Sequence, residues 1–254
     1  MRLDHVALAT RDARGPLAAL VGELGATVLS GGLAIGYRPM QVHLGNEHEG
    51  MKVELLEPWE VASNDFLDRF LTRHGDGPHH LTFKVDDLEA TLGEVSAAGF
   101  TPVGVDLSTP IWKEAFLQPR EAHGTVVQLA ESSSPEKTAL DEYVFVRAGG
   151  VQLMGEEWWP EPPPRALDST VLRRIVMAAP SVPDALEFFA GVLGGAPSRE
   201  DEGWVELAWP GGGHLRLEQR ADRPAGVDRL EADGPGPARE LVIAGTRVVI
   251  NESR

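Results

Sequence analysis

The sequence predicts an α+β chain in which a βαβββ unit is written twice side by side, forming one curved mixed sheet, and is then begun a third time. Three observations predict it. Short strand-like segments recur in the same order, the first segment of each set is followed by a helical period, and loop chemistry separates the sets. At 254 residues the chain is long enough to bury the core such an arrangement needs.

The first unit runs from Leu3 to Pro58. It opens with the strand LDHVALAT, and Leu17, Leu20, Val21 and Leu24 then give a helix spaced i, i+3, i+4, i+7. Strands follow around ATVLSGGLAIGY, at MQVHLGN and at MKVELLEP. A bridging helix carries Phe66, Leu67, Phe70 and Leu71. The second unit, Gly77 to Ser132, repeats the order. GPHHLTFKV is a strand, Asp86 or Asp87 caps a helix with Leu88, Leu92 and Val95 inward, and Gly99 suits its end. TPVGVDL, WKEAFLQP and TVVQLAE complete it.

Residues 132–168 read as a linker, with SSSPEK and PEPPPR as loops and a small hairpin expected in YVFVRAGGVQLMG around Gly149-Gly150. The Trp158-Trp159 pair reads as a packing clamp between halves. The pattern then returns: LRRIVMAAP matches the opening strand, and PDALEFFAGVLGG its helix, with Leu186, Phe189 and Leu193 inward. GWVELAW and GHLRLEQ pair across Pro210 to Gly213, and AGVDRLEADG echoes GPHHLTFKV. The tail RELVIAGTRVVI is too short for a full fourth unit. The expected organisation is a domain over 1–131, the linker over 132–168, and a truncated copy over 169–254.

Composition sets the chemistry. No cysteine is present, which excludes a disulfide framework and a thiolate nucleophile and leaves His, carboxylate and amide groups as metal ligands. A formal charge of −16 without a basic stripe argues against nucleic acid. The charged start MRLDHVALAT is no secretory signal, and no apolar run approaches the roughly 18 residues of a membrane helix. A cytoplasmic protein with a small-molecule substrate is the expectation, with a homodimer left open.

Strand alternation then separates site from core. In HHLTFKV, His79, Leu81, Phe83 and Val85 share the apolar face, so His79 is expected to pack and His80, with Thr82 and Lys84, to face the site. In LDHVALA, His5 lies with Ala7 and Ala9, small enough to leave a cavity. Glu54 opposes Val53 and Leu55, and Gln128 opposes Val127 and Leu129. His5 to Glu54 spans the first unit from first strand to last, as His80 to Gln128 spans the second. A pseudo-twofold pairing would bring all four to one point. Two imidazoles, a carboxylate and an amide oxygen suit one divalent ion among Zn, Ni, Co, Mn and Fe.

The blocks LDHVALAT, KVELLEP, GPHHLTFKVDDLEATLGEVSAAGF and FLQPREAHGTVVQLAE resemble, in the same order, those of the vicinal oxygen chelate superfamily, which includes glyoxalase I, methylmalonyl-CoA epimerase and the extradiol dioxygenases. The epimerase branch is the most similar, over residues 1–131. The resemblance implies a glyoxalase-like fold, metal ligands at His5, Glu54, His80 and Gln128, and a lyase or isomerase reaction on a small vicinal-oxygen or acyl-thioester substrate through a metal-stabilised enolate.

One departure stands out. The fourth ligand in glyoxalase I and the epimerase is usually a glutamate that also moves protons, and an amide cannot accept a proton near neutral pH. Glu114 and His43 are the candidate bases instead. Lys84 and His123 are candidates for touching substrate, His123 at the surface in the turn PREAHGT. Two other readings belong to different classes: an Fe(II) extradiol-type dioxygenase on His5, His80 and Glu54, and a metal-free drug-binding resistance protein. In the third copy Arg174, Arg216 and Arg229 take the places of His5, Glu54 and His80; arginine ligates no metal, so that copy is either kept for packing or offers an anion pocket.

Overall fold

The computed structural model describes residues 1–46, 48–108, 112–132 and 162–253. The expected hairpin around Gly149-Gly150 and the Trp158-Trp159 clamp lie outside them.

The first unit is β1 (Arg2–Ala9), α1 (Arg14–Leu17, continuing as a π-helix over Ala18–Glu23), β2 (Thr27–Gly31), β3 (Tyr37–Gly45) and β4 (Gly50–Pro58). The bridging helix is α2 (Phe66–His74). The second is β5 (Gly77–Lys84), α3 (Leu88–Ala97), β6 (Val103–Asp106), β7 (Trp112–Leu117) and β8 (Val126–Ser132). The Asp87 side chain caps α3 by accepting from Ala90 N at 2.9 Å, and Gly99, at φ +93°, follows its end. The strand expected around ATVLSGGLAIGY stops at Gly31, and β3 begins early, at Tyr37.

These strands form one sheet in the order β2-β3-β4-β1-β5-β8-β7-β6. The order is symmetric about the β1/β5 pair. Glu54, His5, His80 and Gln128 therefore sit on four successive strands, β4, β1, β5 and β8. The sheet is mixed: β3 and β4 run antiparallel, while β5 and β8 are parallel with Thr82 opposite Gln128.

The C-terminal copy is fuller than a single unit. It holds β9 (Val171–Ala179), α4 (Val182–Leu186, continuing as a π-helix over Glu187–Val192), β10 (Ala196–Asp201), β11 (Trp204–Ala208), β12 (His214–Gln219), β13 (Gly226–Gly234), β14 (Arg239–Ile243) and β15 (Thr246–Glu252). Ser181 caps α4 through Asp184 N. The seven strands are ordered β10-β11-β12-β9-β13-β15-β14, the first sheet's order without a counterpart of β6. No helix follows β13; the chain turns into a β14–β15 hairpin through Ala244 and Gly245, both left-handed as a tight hairpin turn requires.

Contacts gather the chain into two units, each drawing on both halves of the sequence. One comprises residues 1–5, 79–135 and 174–229. Its aromatic core sets Phe83 against Trp209, ring centres 5.3 Å apart, and Phe188 against Phe100 and Phe189, each at 4.9 Å. The other comprises residues 6–78, 136–173 and 230–254. There Ala7, Ala9, Leu56, Leu67 and Leu71 form a buried cluster that Tyr37, Phe66 and Phe70 extend. The two alanines of β1 thus lie under α2, whose apolar stripe comes close because they are small. The cavity expected beside them is filled.

Among the described residues, no helix is long and apolar enough to cross a membrane.

Candidate metal centre

His5 is 1% exposed on β1. Its Nδ1 lies 2.8 Å from Asp4 Oδ2, and its Nε2 lies 2.9 Å from Thr82 Oγ1. A carboxylate accepts only, so the ring donates from Nδ1 to Asp4. That arrangement orients a metal-ligating histidine and presents Nε2 as its ligand atom.

His80, also buried, has its ring centre 5.8 Å from that of His5 and its Nδ1 2.9 Å from Nδ1 of His79. Burial holds the His80 imidazole well below the ordinary histidine value; the neighbouring His79 and His5 rings push the same way, and a hydrogen bond to Gln128 opposes them. A ring kept neutral keeps a lone pair for a metal. His79 is half-exposed rather than packed, because its Nδ1 is drawn to His80.

Gln128, 6% exposed, faces Thr82 across the β5–β8 pair and accepts from its hydroxyl at Oε1, 2.6 Å away. Its Nε2 donates to Glu114 Oε2 at 2.7 Å, and Trp112 Nε1 donates to the same oxygen at 2.8 Å. Thr82, Gln128, Glu114 and Trp112 are thus one run of hydrogen bonds, and Asp4 and His5 are another, the two meeting where Thr82 Oγ1 lies beside His5 Nε2. Lys84, two residues along the strand face from Thr82, has its Nζ 3.8 Å from Asp4 Oδ1 and 5.6 Å from the centre of the Trp112 ring. It borders the chain of polar groups.

Glu54, 9% exposed on β4, pairs in register with Gln41 and accepts from its Nε2 at 3.1 Å. Its burial sets it within the sheet face rather than at a rim. His5, Glu54 and His80 make up a group that could hold a metal ion. The donor set fits one: two histidines offering Nε2, a carboxylate, and an amide oxygen beside them.

Two further candidates have other neighbours. His43 does not face the site, because its Nε2 is turned to the carbonyls of Asn46 and Glu49 at 3.1 and 3.3 Å in the β3–β4 turn; burial also lowers its proton affinity. The His123 ring is only partly exposed. It packs against Phe188 and Phe189 with ring centres 5.9 and 6.0 Å away, on a left-handed residue at φ +51°.

The sequence alone assigned no role to Asp4 or Gln41, and placed Thr82 only by its strand face. Their signals were present: an acid beside a candidate histidine, a hydroxyl sharing the face of His80, and an amide opposite Glu54. In the C-terminal copy the guanidinium groups already have carboxylate partners. Arg174 and Arg216 lie 3.0 and 3.3 Å from the buried Glu206, Arg216 also covers the Trp204 ring at 4.2 Å, and Arg229 is held by both oxygens of Glu218 and by Asp228. Those three carboxylates balance the arginines, which favours packing over an anion pocket.

Residues 4–116 match the family model described as the Glyoxalase/Bleomycin resistance protein/Dioxygenase superfamily. The resemblance read from the sequence is borne out there. Among solved structures, a hypothetical protein from Staphylococcus aureus aligns over 99% of both chains at a TM-score of 0.63 and 9% identity, a likeness of fold alone. A hypothetical protein from Bacillus halodurans C-125 aligns with 54% of this chain and 98% of its own, at 26% identity and a TM-score of 0.47. The methylmalonyl-CoA epimerase of Streptomyces coelicolor, in complex with 2-nitronate-propionyl-CoA, aligns with 54% of this chain and 98% of its own, at 23% identity and a TM-score of 0.47. No curated protein matches.

Proposed function

We propose that this chain, whose first half follows the glyoxalase-superfamily pattern, is a metal-dependent lyase or isomerase acting on a small substrate with two neighbouring oxygens or an acyl thioester. The observation that carries the reading is the pair of buried imidazoles, His5 backed by Asp4 and His80 held neutral, beside Gln128. His5, His80 and Glu54 would hold one divalent ion, with the Gln128 amide oxygen as a fourth ligand. When bound, such an ion supplies Lewis-acid stabilisation of negative charge developing on substrate oxygen.

The chain's own residues supply the rest. Asp4 fixes the tautomer of His5. Glu114 is the proton acceptor that Gln128 cannot be: its Oε2 is held by Gln128 and Trp112, which aims the carboxyl, and the other oxygen takes the proton. Lys84, beside the Trp112 ring, offers a cation to an anionic part of the substrate.

Metal analysis of protein purified without chelator tests the first part. About one equivalent of divalent ion is expected, lost in His5→Ala and His80→Ala; a parent without bound metal overturns the reading. Glu114→Gln is then expected to keep the ion and lose turnover across a panel of 2-oxo-aldehyde adducts and 2-methyl acyl thioesters. Oxygen uptake with catechols, were it found, would replace the lyase or isomerase reading with the dioxygenase one.

A further inference from the structure

We infer that Gln41, on β3, is a positioning residue for Glu54, the carboxylate of the proposed metal centre. The two stand directly opposite each other in the antiparallel β3–β4 pair. Side chains so placed lie on one face of the sheet with their β-carbons about 5 Å apart, close enough for a bond between them. Gln41 Nε2 lies 3.1 Å from Glu54 Oε1. An ionised carboxylate only accepts, so the amide nitrogen faces it and its N–H donates. Holding one oxygen sets the rotation of the carboxyl about its last bond, a torsion that is otherwise broad.

Three features tie this bond to the site rather than to the strand. β3 alternates, with Met40, Val42 and Leu44 buried in the core, so Gln41 falls on the other face and adds nothing to that core. On its far side β2 slips register between Val28 and Ser30, which sets Ser30 opposite Gln41. So small a neighbour leaves room for the glutamine to lean towards β4. Among the described residues, Glu54 is the one side-chain partner that Gln41 has.

The inference rests on the metal reading above, and one experiment separates the two. The affinity of the full chain for Zn²⁺ or Co²⁺ alone, free of substrate, is measured by competition with a chromogenic chelator, with thermal melts as a control for folding. Gln41→Met keeps the length and unbranched shape of the side chain without its donor. Val42→Ala, one residue along on the buried face, is the control for strand packing. The methionine variant is expected to bind about 10- to 100-fold more weakly, the range for losing a partner behind a metal ligand, and to shift the Co²⁺ visible spectrum. Val42→Ala should melt lower and keep both affinity and spectrum.

If Gln41→Met binds as the parent does, or Val42→Ala loses as much affinity, Gln41 holds no ligand in place and the inference is overturned while the metal reading stands. If the parent binds no better than His5→Ala, the metal reading falls and takes this inference with it. Should the methionine variant fail to fold, Gln41→Asn makes the same test, since its amide is one carbon short of the bond to Glu54. Parent-like affinity in the asparagine variant would overturn the inference equally.

Discussion

Gln128 donates from its amide to the Glu114 carboxylate at 2.7 Å across the β7–β8 pair. The pair fixes which end of the amide faces Thr82, and it makes position 128 sensitive to charge. Gln128→Glu would set two carboxylates at hydrogen-bonding distance, and one of them would have to keep its proton. In chelator-treated protein the variant is expected to lose about 1–3 kcal/mol at pH 8 and to regain it as the pH falls. Adding Glu114→Gln should restore stability at pH 8. Chemical denaturation at the two pH values decides; equal stability throughout would mean the two side chains do not meet.

Asp4 is expected to act on metal through His5. Asp4→Asn leaves the ring without a carboxylate behind it, and affinity for Zn²⁺ should fall about 10- to 100-fold with the fold intact. An unchanged affinity in chelator competition would remove Asp4 from the site.

The alanines of β1 set how closely α2 approaches. Ala9→Leu adds three carbons against Leu56, Leu67 and Leu71, and a loss of about 1–3 kcal/mol in urea unfolding is expected. A neutral result would show that the cluster has room.

Histidines set the acid limit. Burial lowers the proton affinity of His43, His80 and His123, so below about pH 6.5, the ordinary histidine value, the unfolded chain takes up protons that the folded chain refuses. Stability of the metal-free protein is therefore full above that pH and declines as the pH drops through it. His80→Gln should flatten the decline between pH 7.5 and 5.5. A melting temperature as pH-dependent as the parent's would contradict the burial of His80.

In the C-terminal copy, Glu206 is buried between Arg174 and Arg216. Glu206→Ala leaves two guanidinium groups largely enclosed without their shared partner, and a loss of about 3 kcal/mol is expected in calorimetry. A Glu206→Ala protein as stable as the parent would show those arginines to be solvated.

Much of the site could be read from residue order because a strand states its faces two by two. His5, Glu54, His80 and Gln128 each oppose apolar neighbours, and the strand order sets their strands side by side. What covers a face is not periodic. Ala7 and Ala9 look like empty space until α2 is laid over them, and His123 looks exposed until Phe188 and Phe189, some 65 residues on, pack against it. Glu114 could be suspected from its strand, but its bond to Gln128 depends on the β7–β8 register, in which Gln128 stands opposite Phe116 and Glu114 opposite Ala130. His79 shows the limit of alternation: a polar atom on an apolar face turned to its neighbour and stayed partly in water.

Gly124 has a left-handed backbone at φ +84°, and a methyl group placed on it would fall 2.0 Å from the carbonyl oxygen of Ala225; Gly245, at φ +68°, meets Asp76 in the same way. At both points backbone from the early part of the chain touches backbone from the late part with no side chain between. A side chain at either glycine would push the two backbones apart, and a chain cut before residue 170 would leave Phe83 and Phe100 without Trp209 and Phe188. Residues 79–135 and 174–229 therefore depend on one another for a single aromatic core.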